Sequence, residues 1–134
     1  MFNSYPILIP FIAILAAEAV KACIDLVYKR KSIRFLKAGG MPSGHSAFVG
    51  ALVVMVASRE GIGSTAFAIT AVLAVVVMYD AIHLRGEAGR HAAILNQLKP
   101  GAHLEESLGH THLQVIVGAL FGGLVAYGLA GFPS

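Results

Sequence analysis

The sequence contains few charged residues, a single cysteine and no tryptophan. Only 13% of its 134 residues are Asp, Glu, Lys or Arg, whereas about 25% of a soluble domain is charged. Together with a hydrophobic content of 57%, this scarcity argues against an ordinary soluble domain and favours a membrane protein. The lone Cys23 excludes an intramolecular disulfide, and we expect it to act as a small packing residue.

A strongly basic surface is also missing. The formal net charge is +3, and no long basic run is interleaved with aromatic residues, so nucleic acid is not an expected partner. The first five residues lack the basic start of a secretory signal. We therefore expect the first apolar stretch to be retained.

Four apolar stretches can cross about 30 Å of hydrocarbon as helices. They are predicted at residues 6–27, 42–58, 64–83 and 113–131. A shorter polar helix is expected at residues 87–98, before the helix-ending Lys99-Pro100-Gly101. The predicted fold is all-α: one membrane-embedded domain, residues 1–134, that forms a polytopic bundle of about four transmembrane helices plus a short cytoplasmic-side helix.

The basic residues predict how the chain crosses the membrane. Positive residues favour cytoplasmic loops, and only Arg59 falls between the second and third stretches. The other basic residues outside the apolar stretches follow the first stretch (Lys29, Arg30, Lys31, Arg34, Lys37) or the third (Arg85, Arg90, Lys99). Residues 42–46 and 84–112 of this multi-pass protein should therefore face the cytoplasm.

The segment Gly39-Gly40-Met41-Pro42-Ser43-Gly44-His45-Ser46-Ala47 joins a basic loop to the second stretch. Pro42 suits the first turn of a helix, and the small residues after it leave backbone N–H groups open to an anion. His45 is placed there to give or take a proton.

A second histidine, His110, occupies a similar place just before the fourth stretch. The second and fourth stretches enter the membrane from the same side, so His45 and His110 should both lie at helix N-termini on that face. This arrangement predicts a phosphoryl-transfer site, in which one histidine attacks phosphorus and the other protonates the leaving oxygen.

Charged residues also occur within the first apolar stretch. Glu18, Lys21 and Asp25 are spaced three and four residues apart and share one helical face. The favoured interpretation is ion pairing near the helix end.

Asp80 is predicted to lie deep in the third stretch, where a carboxylate is costly. With Glu87, His91 and Glu106 it could form an oxygen-rich cation site. The alternative, which we favour, is ion pairing of the acidic residues with Arg85 and Arg90.

Three segments together resemble the type-2 phosphatidic-acid phosphatase superfamily, in a short and divergent form. These integral membrane lipid phosphatases are related to bacterial acid phosphatases and vanadium haloperoxidases. The matching segments are residues 39–47, Tyr79-Asp80-Ala81 followed by Arg85 and Gly89, and Leu108-Gly109-His110-Thr111.

The resemblance implies a role for each matching residue. His45 would be the general acid, and Ser43 and Gly44 would help to hold phosphate. His110 would be the nucleophile that becomes phosphorylated, with Gln114 as its partner. The superfamily reaction requires no metal or other cofactor, and none is expected here.

The sequence departs from the superfamily pattern in its basic residues. The first motif is a Lys followed seven residues later by Arg-Pro, and no Arg-Pro occurs here. Lys31 or Lys37 could supply the phosphate-binding lysine. The arginine expected before the last histidine is also missing, so Arg85 or Arg90 would have to replace it.

A further departure is Gln114, which stands where the superfamily has an acidic residue. An amide can orient His110 but cannot stabilise an imidazolium by charge, and this exchange can be very costly in rate. Glu105 or Glu106 could compensate, with Asp80 and Glu87 as further supporting carboxylates.

The leading hypothesis is therefore an integral membrane lipid phosphatase. Its substrate would be a phosphate monoester or diphosphate, such as phosphatidylglycerol phosphate, phosphatidate or a polyprenyl diphosphate, and its intermediate a phosphohistidine. The alternatives are a non-catalytic binder of lipid phosphate and a structural membrane subunit. The expected partners are the substrate and membrane lipids, and since four helices are few to enclose a lipid, we also consider a homodimer.

Overall fold

The computed structural model describes residues 4–28 and 40–130, and these residues form five helices. In chain order the helices are α1 (Leu8–Val27), α2 (Gly44–Glu60), α3 (Thr65–Ile82), α4 (Leu84–Leu98) and α5 (His112–Ala130). The predicted all-α class is confirmed. Helix α2 starts two residues later than predicted, because Ser43 is its N-cap and Pro42 precedes that cap. Helix α4 starts three residues earlier than predicted.

Helix α1 buries the face that carries its charged residues and exposes large apolar residues on the opposite face. Ile9, Ala13 and Ala17 begin the buried face, which the charged residues continue towards the C-terminal end. The opposite face exposes large apolar residues such as Phe11 and Leu15. Such a helix suits an apolar surrounding solvent. Cys23 is exposed on it, so its predicted packing role is wrong.

Helices α2 and α5 approach closely through small residues and begin side by side. A Cβ added at Gly118 would lie 2.5 Å from the Ser43 carbonyl oxygen, and one added at Gly122 would collide with the Ala47 carbonyl. The Ser43 N–H donates to the Gln114 carbonyl oxygen at 3.2 Å. The Gly-x-x-x-Gly spacing of α5 thus brings the two helix starts together.

Helix α3 is largely uncovered by the rest of the chain. Only Ala74 and Ala81 are buried in it, and its exposed side chains include Ile69, Val72 and Val76. A large exposed apolar surface is typical of a helix that contacts the membrane or another protein.

Two helices are long and apolar enough to cross a membrane. They are Thr65–Leu98, which combines α3 and α4 and whose most apolar 18-residue window has a mean hydropathy of 2.1, and His112–Ala130, whose corresponding window has a mean hydropathy of 1.9. Helix α1 carries three charged residues, which are too many for an apolar span. Helix α2 has only 17 residues, which are too few. The described residues thus support two of the four predicted spans.

The junction of α3 and α4 contains a single residue, His83. Its N–H donates to the Tyr79 carbonyl, and its own carbonyl accepts from the Glu87 N–H, both at 2.9 Å. Helical hydrogen bonding therefore continues through the junction, which explains the early start of α4. After α4, the chain returns towards the end of α3 and delivers His110 there.

Candidate active site

His45 lies in the first turn of α2, in a position fixed by the helix cap. The Ser43 hydroxyl oxygen accepts from the Ser46 N–H at 3.4 Å and from the Ser46 hydroxyl at 3.0 Å. Ser43 is fully buried and its hydroxyl caps α2, whereas its contact with phosphate stays a prediction. His45, two residues further on, is exposed and accessible to a substrate.

His110 is buried where the end of α3 meets the start of α5. Only 7% of the residue is exposed, and its backbone N–H donates to the Ala81 carbonyl of α3 at 3.0 Å. Its ring Nδ1 lies 3.2 Å from Gln114 Oε1. Because an amide oxygen only accepts, this contact assigns the hydrogen to Nδ1 and leaves the lone pair on Nε2.

The electrostatic surroundings of His110 disfavour its charged form. Burial lowers the pKa of His110, and the hydrogen bond to Gln114 opposes this effect. The positive charges of Lys21 and Arg85, and the neighbouring His45, lower it further. His110 is therefore neutral at neutral pH, which a nucleophilic imidazole requires.

Gln114 has a second task at the start of α5. Its backbone N–H donates to Thr111 Oγ1 at 3.3 Å, and its Oε1 accepts from the Thr111 N–H at 3.1 Å. This reciprocal pair is a capping box, which requires Glu or Gln three residues after the cap. The same oxygen thus caps the helix and orients His110.

Lys21 belongs to this region, although the sequence did not single it out as a site residue. Lys21 is 2% exposed and Glu18 is 5% exposed, and Lys21 Nζ lies 2.7 Å from Glu18 Oε1. The predicted pairing of these two residues is confirmed. The charge of Lys21 also acts on both His45 and His110, so the ion pair of Lys21 and Glu18 lies beside the two histidines.

Gly44 makes room for this ion pair at the start of α2. A Cβ at position 44 would lie 2.5 Å from Glu18 Oε1 and 3.4 Å from Ile14 Cγ1. The requirement for glycine here therefore comes from close packing against α1. The sequence offered one indication of this ion pair, namely three charged residues at helical spacing in an apolar segment. It could not show that they lie near α2, because that proximity depends on tertiary packing.

Arg85 and Asp80 border the histidines on the α3 and α4 side. Arg85 Nε lies 3.5 Å from Asp80 Oδ2, and each side chain is 38% exposed. Both charges act on His45, and Arg85 also acts on His110. Asp80 occupies the last turn of α3, and its depth within a membrane span stays a prediction.

Other predicted residues lie apart from the histidines or outside the described chain. Arg90 pairs with Glu87 on the exposed side of α4, and Glu106 Oε1 accepts from Asn96 Nδ2 at 2.7 Å. Within residues 4–28 and 40–130, no three His, Cys, Asp or Glu side chains are grouped closely enough to hold a metal ion. The predicted lysines Lys31 and Lys37 lie outside the described residues.

Comparison with known proteins adds to this geometry. The chain is 34% identical, over an alignment of 154 positions that covers 98% of each protein, to a protein of Bacillus subtilis (strain 168) named "Uncharacterized membrane protein YuiD". No solved structure matches the chain significantly. A sequence model described as the Divergent PAP2 family matches residues 2–125. Since this match covers nearly the whole chain, the protein belongs to the Divergent PAP2 family.

Proposed function

We propose that this protein is an integral membrane lipid phosphatase that hydrolyses a phosphate monoester or diphosphate. The observation that carries the proposal is the convergence of His45 and His110 at the adjoining starts of α2 and α5, with His110 Nδ1 against Gln114 Oε1. Membership of the Divergent PAP2 family supports the same chemistry through kinship with phosphatases.

The chemistry divides between the two histidines. Nε2 of His110 attacks phosphorus, and the bond from phosphorus to the lipid oxygen breaks. His45 gives its proton to that oxygen, which leaves as the lipid alcohol or monophosphate. A water molecule then attacks the phosphohistidine, with His45 taking a proton from the water, and inorganic phosphate is released.

Two cations are placed to balance the charge of the transferring phosphoryl group. Lys21 and Arg85 both act electrostatically on His110, and the first-turn N–H groups of α2 add a positive helix end. Each cation has a carboxylate partner, Glu18 for Lys21 and Asp80 for Arg85. These carboxylates hold the cations in place before the substrate arrives, which lowers the reorganisation needed in the transition state.

The membrane arrangement completes the proposal. Helices α1 and α2 pack with α5 around a shared core that includes Ile9, Met55 and Ala126, and we propose that they cross the bilayer beside α3 and α5. The resulting four-span bundle places the starts of α2 and α5 at the cytoplasmic face. A phosphate in the headgroup layer of that leaflet would meet the two histidines.

The test is phosphate release by detergent-purified protein from a panel of lipid monophosphates and diphosphates. We expect turnover by the wild type and its loss, by at least about a hundredfold, in His45→Ala and His110→Ala. His103→Asn is the matched control, because His103 is exposed and has φ 48°, a conformation that asparagine tolerates. The control should retain wild-type turnover.

Two further outcomes of this assay would change the conclusion. Turnover that persists in both alanine variants would refute the two-histidine mechanism. Turnover abolished by EDTA would instead indicate metal-assisted chemistry and refute the metal-free mechanism.

A non-catalytic binder of lipid phosphate is the second candidate. Gln114 favours it, because an amide cannot stabilise the imidazolium form by charge. This candidate predicts lipid-phosphate binding without turnover, and binding that survives His110→Ala.

A further inference from the structure

The segment before His110 is held along α4 by the side chain of Asn96. This side chain hydrogen-bonds to both the N–H and the carbonyl of one backbone residue. Asn96 Oδ1 accepts from the Leu104 N–H, and Asn96 Nδ2 donates to the Leu104 carbonyl, both at 2.9 Å. Asn96 Nδ2 also donates to Glu106 Oε1 at 2.7 Å. One amide therefore fixes two residues of the returning segment.

Close backbone contacts continue this pairing towards the active site. A Cβ at Gly89 would collide with the Glu106 carbonyl oxygen, and a Cβ at Gly109 would lie 2.8 Å from the Gly86 Cα. The His110 N–H then reaches the Ala81 carbonyl at 3.0 Å.

These contacts define a single register between the two segments. Positions 96, 89, 86 and 81 meet positions 104, 106, 109 and 110 in that order, so the segment runs antiparallel to the helix. A slip of one residue would move an extended chain by about 3.3 Å. That displacement is larger than a productive attack geometry allows.

We propose that Asn96 is a positioning residue for His110, fixing the register in which residues 101–110 return along α4. The inference rests on the proposed function in one respect only, namely that His110 is the nucleophile. Asn96 acts through the backbone that carries His110, and it contacts the returning segment at Leu104 and Glu106.

The first test compares Asn96→Ala with Gln97→Ala, an exposed neighbour on the same helix. Loss of the Asn96 hydrogen bonds should lower kcat about tenfold and leave KM nearly unchanged, because the change misplaces the nucleophile without removing a substrate contact. Amide exchange at the His110 N–H, measured by NMR on protein labelled with 15N-histidine, should accelerate. Gln97→Ala should leave kcat, KM and the exchange rate of the His110 N–H unchanged.

A charge swap tests whether the hydrogen bonds themselves matter. Asn96→Asp faces the Glu106 carboxylate with a second carboxylate and should lower kcat at least as much as Asn96→Ala. Adding Glu106→Gln restores a donor and acceptor pair with the polarity reversed, and it should recover part of kcat and of the exchange protection at His110. A residue that only fills space would show no such recovery.

Glycine variants provide a second route if the asparagine variants do not fold. Gly89→Ala places its Cβ against the Glu106 carbonyl, whereas a Cβ at Gly86 meets nothing within 4 Å. Gly89→Ala should therefore accelerate exchange at His110, and Gly86→Ala should not.

The outcomes separate this inference from the proposed function. If the wild type releases no phosphate from any lipid, the phosphatase proposal fails, and the exchange rate at the His110 N–H alone decides the positioning role. Unchanged exchange in both Asn96→Ala and Gly89→Ala would overturn the inference, whatever the turnover.

Discussion

At the scale of single residues, Gln114 stands where the phosphatase pattern has an acidic residue, and its amide oxygen makes two contacts at the candidate site. Gln114 Oε1 accepts from both the His110 ring and the Thr111 N–H. Either Gln or Glu can serve in such a capping box, so the fold of α5 accommodates both residues. What the amide omits is charge, and the pKa of His110 is accordingly lowered by burial, Lys21, His45 and Arg85.

The pH dependence of turnover follows from this lowered pKa. In the proposed mechanism His110 attacks as the neutral imidazole, so lowering the pH to the ordinary histidine value of about 6.5 should cost little activity, and the loss should come below it. In Gln114→Glu, a carboxylate would stabilise the imidazolium, raise the pKa of His110 and move the acid limb of kcat to higher pH. Above that limb, kcat should rise by about tenfold or more, because the carboxylate supports the cationic intermediate.

The measurement is a pH profile of kcat for both proteins, paired with NMR titration of the His110 ring. Gln97→Glu, which adds the same charge at an exposed position, is the control and should leave the acid limb in place. In Gln114→Glu, the pKa of the His110 ring could rise while the acid limb of kcat remains at the wild-type pH. This result would show that ionisation of His110 does not limit turnover.

At the scale of helices, contact between α2 and α5 places the two histidines together. Because Gly118 and Gly122 pack on the Ser43 and Ala47 carbonyls, the helix starts lie side by side. Dispersion contacts between close backbones stabilise such packing, since apolar burial contributes little between helices in lipid.

We expect Gly122→Ala to lower the free energy of unfolding by about 1–3 kcal/mol through overpacking. Gly128→Ala, in the same helix but with open space around the added methyl, should be neutral or slightly stabilising. Thermal unfolding in detergent compares the two. Equal stability would mean that the close approach of α2 and α5 contributes nothing to the fold.

The sequence predicted the helices better than it predicted their neighbours. The apolar stretches located α1, α2, α3 and α5, and the polar segment before Lys99-Pro100-Gly101 located α4. The partner of the Gly118 and Gly122 face could not be inferred, because the spacing does not specify which helix approaches. Lys21 was missed for the same reason, since its proximity to the histidines arises only when α1 packs on α2.

At the scale of the whole molecule, a few charged and polar side chains are buried, while many large apolar side chains are exposed. Lys21, Asp25 and His110 are buried, while α3 and the outer face of α1 expose large apolar residues. Cys23, which was expected to be a small packing residue, follows this distribution and is exposed. The bilayer replaces water as the surrounding solvent, so apolar residues face outwards and the polar site remains within the bundle.

The orientation of this bundle can be tested with single cysteines in a Cys23→Ser background. We expect Lys99→Cys, just after α4, to react with a membrane-impermeant maleimide only when the cytoplasmic face is accessible, because most basic residues lie on that side. Gly63→Cys, between α2 and α3, should react from the opposite face. The parent Cys23→Ser protein should remain unlabelled in both preparations.

The loop at Gly63 and the end of α4 are separated by one span in the proposed topology, so labelling of both positions from one side would refute the four-span arrangement. The proposed cytoplasmic site would then lose its support, whereas the contacts of His110 with Ala81 and Gln114 would be unaffected.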